Sequence, residues 1–138
     1  MTRSALTAAL AKPPRTPGVV ALYLFGSGAE GRMHRESDVD VGALLDRRIL
    51  GTPRDRFEAR LQLLAELAPR FGGRAVDVVV LNDAPPGLAS RIVAIDPPTY
   101  CSDPAIEHAF RRDGQLRAAD LLPFIRRTRR VKLEAIAR

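Results

Sequence analysis

The chain has 138 residues, 46% of them apolar, and a formal net charge of +6, a size and apolar content that suit one hydrophobic core and leave little room for a second. A single domain over 1–138 is therefore expected, with a core over about 17–101 and a helical C-terminal extension over about 103–138. The longest apolar run, Val19 to Phe25, falls far short of the roughly 20 residues that cross a bilayer, which excludes a membrane-spanning helix.

Ser4 to Ala11 reads as a short helix with Ser4 placed to cap it, closed by Pro13-Pro14. The segment is too short, and too soon followed by Lys12-Pro13-Pro14, to read as a secretory signal, so the expected compartment is the cytoplasm. The lone cysteine, Cys101, has no partner for an internal disulfide and fits a reducing compartment. Val19 to Phe25 is a β-branched and aromatic run, apolar on both faces as a central strand covered by helices should be, and Gly26-Ser27-Gly28 ends it. Ala29 to Glu36 is a short helix or loop, and Val39 to Leu45 is a second strand. Thr52 caps the next helix, with Pro53 at its first position and Asp55 three residues after the cap. Phe57, Leu61, Leu64 and Ala68 recur along it at helical spacing, and Gly72-Gly73 stops it. Val76 to Leu81 is a third strand, and Pro85-Pro86 opens a helix to about Ala94. An edge strand is expected near Thr99 to Cys101. Asp103-Pro104 starts a helix to about Arg112, and a final helix runs from about Ala118. Nine basic residues and three acids lie from Arg111 onward, so this tail carries the whole net charge and offers a surface to something acidic. Aromatics are not interleaved with its arginines, which disfavours direct nucleic-acid binding. No repeat or low-complexity segment interrupts this order, and the fold class that follows is α+β (mixed α/β), a small mixed sheet flanked by helices.

Chemistry concentrates between Gly26 and Asp40. Asp38 and Asp40 lie two apart at the head of a strand, so their side chains leave the same face. Adjacent carboxylates repel, and a cation must compensate them. Mg²⁺ prefers oxygen ligands and sits between carboxylates and substrate phosphates; a pair of such ions activates the attacking oxygen and neutralises the leaving one in displacement at phosphorus. That arrangement calls for a third carboxylate, and Asp77, near the head of the third strand, is the candidate. Ser27, following a strand and preceding Gly28, stands where backbone N–H groups and a hydroxyl can hold triphosphate oxygens, while Gly26 permits close backbone approach. His34 is read as an exposed loop residue and His108 as a surface helix residue; no second His or Cys sits at zinc spacing from either. Arg32 and Arg35 are read as loop residues able to steer a triphosphate.

The run from Gly26 to Asp40 resembles the Gly-Ser-x(10)-Asp-x-Asp signature of the DNA polymerase beta-like nucleotidyltransferase superfamily, and the size is similar to its minimal nucleotidyltransferase (MNT) branch. Asp77 in Ala75-Val76-Asp77-Val78-Val79-Val80-Leu81, then Ala84-Pro85-Pro86 and a helix containing Arg91-Ile92, extend the resemblance over residues 17–101. The helix from Leu116 onward is similar to tails of MNT antitoxins paired with HEPN toxins. Gly28 and Glu30 stand where arginines are frequent, a departure that bears on rate or nucleotide preference. The resemblance implies a polymerase beta-like fold, ATP as substrate with two Mg²⁺ ions, Gly26 and Ser27 at the triphosphate, and Asp38, Asp40 and Asp77 as catalytic and metal-binding residues. It further implies an antitoxin that transfers AMP to a tyrosine hydroxyl of a HEPN ribonuclease toxin. Two alternatives stay open: a non-catalytic antitoxin acting by binding alone, and a nucleotidyltransferase for a small acceptor such as an aminoglycoside.

Overall fold

The computed structural model describes residues 1–26, 38–95 and 97–117. In chain order the elements are α1 (Arg3–Ala11), β1 (Val19–Phe25), β2 (Val39–Leu45), α2 (Pro53–Leu67) with a 3-10 turn at Ala68–Phe71, β3 (Val76–Val80), α3 (Pro86–Ile95) and β4 (Tyr100–Cys101), followed by α4, helical over residues 104–117. The four strands form one mixed sheet in the order β3-β2-β1-β4: β1 is antiparallel to β2 and β4, and β2 is parallel to β3. Among the described residues no helix is long and apolar enough to cross a membrane.

Each face of the sheet carries its own helical layer. Leu22 and Leu24 of β1, Val39, Val41, Ala43 and Leu45 of β2, and Val78 of β3 pack against Leu6 and Leu10 of α1 and Leu63 and Leu67 of α2. On the other face, Tyr23 and Leu44 meet Ala89, Ile92 and Val93 of α3, with Ile106 and Phe110 of α4 beside them. A register shift in β1 between Val19 and Ala21 breaks the two-residue alternation, which is why Val20 and Ala21 both join this second layer.

Two helix starts behave differently from one another. α2 has the expected capping box: the Thr52 hydroxyl accepts from the Asp55 N–H and the Asp55 carboxylate accepts from the Thr52 N–H, with Pro53 in the first turn. In α1 the cap is Thr2 instead of Ser4, its hydroxyl accepting from the Ala5 N–H at 3.1 Å, so the helix begins one residue earlier than expected. The buried stripe of α2 also differs from the Phe57-Leu61 spacing. Phe57 and Leu61 are 54% and 48% exposed, while Arg56, Ala59, Leu63 and Leu67 are buried. Full burial of a leucine stabilises by about 1.5–3 kcal/mol; Arg56 joins that face because its charge is met there, by a bidentate pair with Asp83 at 2.9 Å on both oxygens and a bond to the Leu50 carbonyl at 3.0 Å. α4 starts at Asp103-Pro104, the Asp103 carboxylate accepting from the Ile106 N–H. It runs through Gly114 to residue 117, past the end expected at Arg112, since a helical glycine costs only about 1 kcal/mol against alanine. The tail from Ala118 lies outside the described residues.

Candidate functional site

The parallel register of β2 and β3 places Asp40 directly opposite Asp77 and Val39 opposite Val76. Val39, Val76 and Val78 belong to the layer under α1 and α2, so strand alternation turns both aspartates to the opposite face. Asp38, two residues before Asp40, is exposed at the lip of the same corner. On the other flank of Asp40 lies the end of β1, Phe25 being its register partner. Gly26 then turns the chain with φ of +74°, a left-handed conformation that disfavours side chains. A Cβ built at Gly26 would collide with Asp40 Oδ2. Glycine here thus serves the turn and also leaves the carboxylate room. Ser27, with Gly28, Glu30, Arg32, His34 and Arg35, lies outside the described residues.

Burial pushes the Asp40 carboxyl above the ordinary aspartate range, and the neighbouring charges of Asp77 and Asp38 push it the same way. Negative charge is therefore concentrated around Asp40. Arg60, which the sequence reading did not single out, brings a cation to it. Its Nε donates to the Val78 carbonyl at 2.6 Å and its second nitrogen to Asp77 Oδ1 at 3.1 Å. Because α2 packs on the opposite face, this side chain reaches around the outer edge of β3. No spacing in the sequence ties position 60 to position 77.

Among the described residues no three His, Cys, Asp or Glu side chains already converge as a ligand set for a metal ion. The donor chemistry nevertheless fits a hard divalent cation: carboxylate oxygens only, with the Asp40 and Asp77 carboxylates on strand residues in register.

Beneath this corner, Tyr23 sits opposite Gly42, one same-face position from Asp40. Its hydroxyl donates to Glu107 Oε1 at 2.7 Å, and Arg111 donates twice to the same oxygen, at 3.1 and 2.7 Å, and once to the Val93 carbonyl. Glu107 is 2% exposed. Burial first, and then the Glu107 carboxylate, raise the Tyr23 phenol, so Tyr23 is a fixed donor that ties α4 to β1. His108 is exposed, 3.6 Å from Glu107 Oε2, and burial raises the Cys101 thiol. A cavity of about 380 Å³ bordered by Leu44, Arg47, Leu81 and Phe110 lies at the far end of β2 and shares no residue with the acidic corner.

The family model described as "Polymerase beta, Nucleotidyltransferase" matches residues 11–105. Among solved structures, the chain is similar to one of a toxin-antitoxin with AMP-PNP, at 20% identity over the full length of both chains and a TM-score of 0.59. It is similar to one of the toxin-antitoxin MntA-HepT, at 17% identity over 99% of this chain and 97% of that one, with a TM-score of 0.54. A third is a tri-AMPylated Shewanella oneidensis HEPN toxin in complex with MNT antitoxin, at 18% identity over 88% and 86% and a TM-score of 0.52. At these identities the likeness is one of fold. No curated protein matches the chain.

Proposed function

From the premise that this chain belongs to the polymerase beta nucleotidyltransferase family, we propose that it transfers AMP from ATP to a tyrosine hydroxyl of a HEPN-type toxin protein that it binds and neutralises in the cytoplasm. The observation that carries this reading is the in-register pairing of Asp40 with Asp77 beside the Gly26 turn. A tri-AMPylated HEPN toxin with its MNT antitoxin among the similar folds supports the choice of acceptor.

Asp38, Asp40 and Asp77 would hold two Mg²⁺ ions, which supply charge neutralisation at the reacting phosphate and at the leaving pyrophosphate. Gly26, at the turn after β1, and Ser27 would receive the triphosphate, with Gly26 bringing main chain close to it. In the transfer the tyrosine oxygen bonds to the α-phosphorus, the bond from that phosphorus to the bridging oxygen breaks, pyrophosphate leaves, and the phenolic proton passes to water. Residues 17–101 would carry this chemistry, and the segment from 103 onward would hold the partner.

Purified protein incubated with ATP, Mg²⁺ and the product of the adjacent gene should add adenylate to a tyrosine of that product, read by mass spectrometry. Asp40→Asn and Asp77→Asn should abolish the addition with the circular dichroism spectrum unchanged. Transfer surviving in both variants refutes the site; toxin neutralisation surviving where transfer is lost would establish an antitoxin that acts by binding alone.

A further inference from the structure

Arg60 is held by main chain as well as by a carboxylate. Its Nε bond to the Val78 main-chain carbonyl does not depend on Asp77, and its side chain is 30% exposed, against 54% for Asp77 and 87% for Arg54 on the same helix. A loose surface arginine loses most of its electrostatic effect to solvent and to side-chain entropy. One anchored at the main chain stays at the sheet edge whether or not its second nitrogen is engaged. Among the described residues, the carboxylate oxygen it bonds is Asp77 Oδ1.

We propose that Arg60 is a positioning residue for the acidic corner: a fixed cation that orients Asp77 and lowers the corner's affinity for divalent metal until a triphosphate brings its own negative charge. The proposal rests on the reading of Asp77 as a metal ligand. Neighbouring carboxylates such as Asp40 and Asp77 attract free divalent cations; an anchored unit of positive charge beside them opposes that attraction. Metal then enters together with nucleotide phosphates, the mode typical of Mg²⁺, which is commonly shared between protein carboxylates and substrate. Arg60 does not touch the reacting atoms in this scheme and acts through Asp77.

The test is Mn²⁺ binding to the full chain without nucleotide, followed by electron paramagnetic resonance. Arg60→Met should bind Mn²⁺ about five-fold more tightly than wild type, the size expected of a unit charge acting on a divalent ion across a water-rich, salt-screened edge. Arg60→Lys, which keeps the charge, should stay within about two-fold of wild type. Arg60→Gln, which retains an amide donor for the Val78 carbonyl, should show the same gain of about five-fold and decides the test if the methionine variant fails to fold. In an Asp77→Asn background the gain should shrink below about two-fold. Affinity unchanged or weakened in both the methionine and glutamine variants overturns the proposal and leaves the metal reading standing. Wild type that binds no Mn²⁺ even with AMP-PNP present, or binds it equally well with Asp77→Asn, overturns both.

Discussion

Replacing Asp40 with asparagine should make the metal-free protein more stable at neutral pH, although it removes a residue essential to the proposed activity. Neighbouring strands lie about 4.8 Å apart, and Asp40 and Asp77 are register partners across one such gap. Two unit charges at that distance repel by about 0.9 kcal/mol in water, and physiological salt removes roughly half. Partial burial of Asp40 adds a desolvation cost, the larger cause of its raised proton affinity, so the expected gain is about 0.5–1 kcal/mol, or roughly 2–4 °C in Tm for a chain of this size. Since Asp40 binds its proton more tightly in the folded chain than in the unfolded one, it costs nothing where both states are protonated. Its destabilisation grows as pH rises through the ordinary aspartate range and is complete above the folded-state titration. The gap between variant and wild type should therefore be widest near pH 7 and close below the unfolded aspartate range. Urea denaturation followed by circular dichroism from pH 3 to 8, with chelator present, measures it. An asparagine variant less stable than wild type at pH 7, or a gap that ignores pH, would refute the electrostatic account of this corner.

Gly26→Ala places a side chain at a left-handed φ and against Asp40 Oδ2; it should cost about 1–2 kcal/mol in urea denaturation and slow adenylate transfer about ten-fold or more. Asp83→Ala strands the guanidinium of Arg56, whose side chain is 7% exposed, and should cost about 2–4 kcal/mol. Arg56→Met should cost less, because Asp83 at 39% exposure can be rehydrated, and the reverse ranking in denaturant would contradict this. Leu63→Ala should lose about 2–4 kcal/mol and Leu61→Ala under about 0.5, a comparison that tests which stripe of α2 is buried. Tyr23→Phe should cost about 1–2 kcal/mol, since Glu107 keeps its bonds to Arg111.

Legibility in the sequence tracked how local each cause was. β1 and β2 are continuous apolar runs bounded by Gly18, Gly26 and polar residues, and their ends agree with the structure. The Thr52 capping box is likewise complete within four residues. The face of α2 was harder to read, because its buried stripe begins with Arg56, a charged residue that hydropathy assigns to solvent; its partner Asp83 is 27 positions away. Glu107 was invisible for the same reason, being buried only because Tyr23 and Arg111 satisfy it. Asp38, Asp40 and Asp77 could be proposed from spacing and strand position, but the Arg60 bond that now sits on Asp77 depends on a helix passing beside the edge of β3.

The juxtaposition of Asp40 and Asp77 is set at the far end of the strand pair. Strand register is a matter of whole residues, and a slip of one would send Asp77 to the α1 and α2 face. Beyond the last β3 residue, Asn82 prevents this: its side-chain oxygen accepts from the Leu45 N–H at 2.9 Å and its side-chain nitrogen donates to the Leu45 carbonyl at 2.8 Å. The amide thereby imitates a strand partner and lengthens the ladder that the Leu81 N–H to Ala43 bond has just closed. Arg47 adds a bond to the Asn82 carbonyl at 3.1 Å, and Asp83, the next residue, is clamped by Arg56. Asn82 lies five positions beyond Asp77, at most about 16 Å along the chain, so contacts remote from the acidic corner determine which carboxylate faces which. The local sequence around Asp40 supplies the charge, and the Asn82 turn decides that Asp77 meets it.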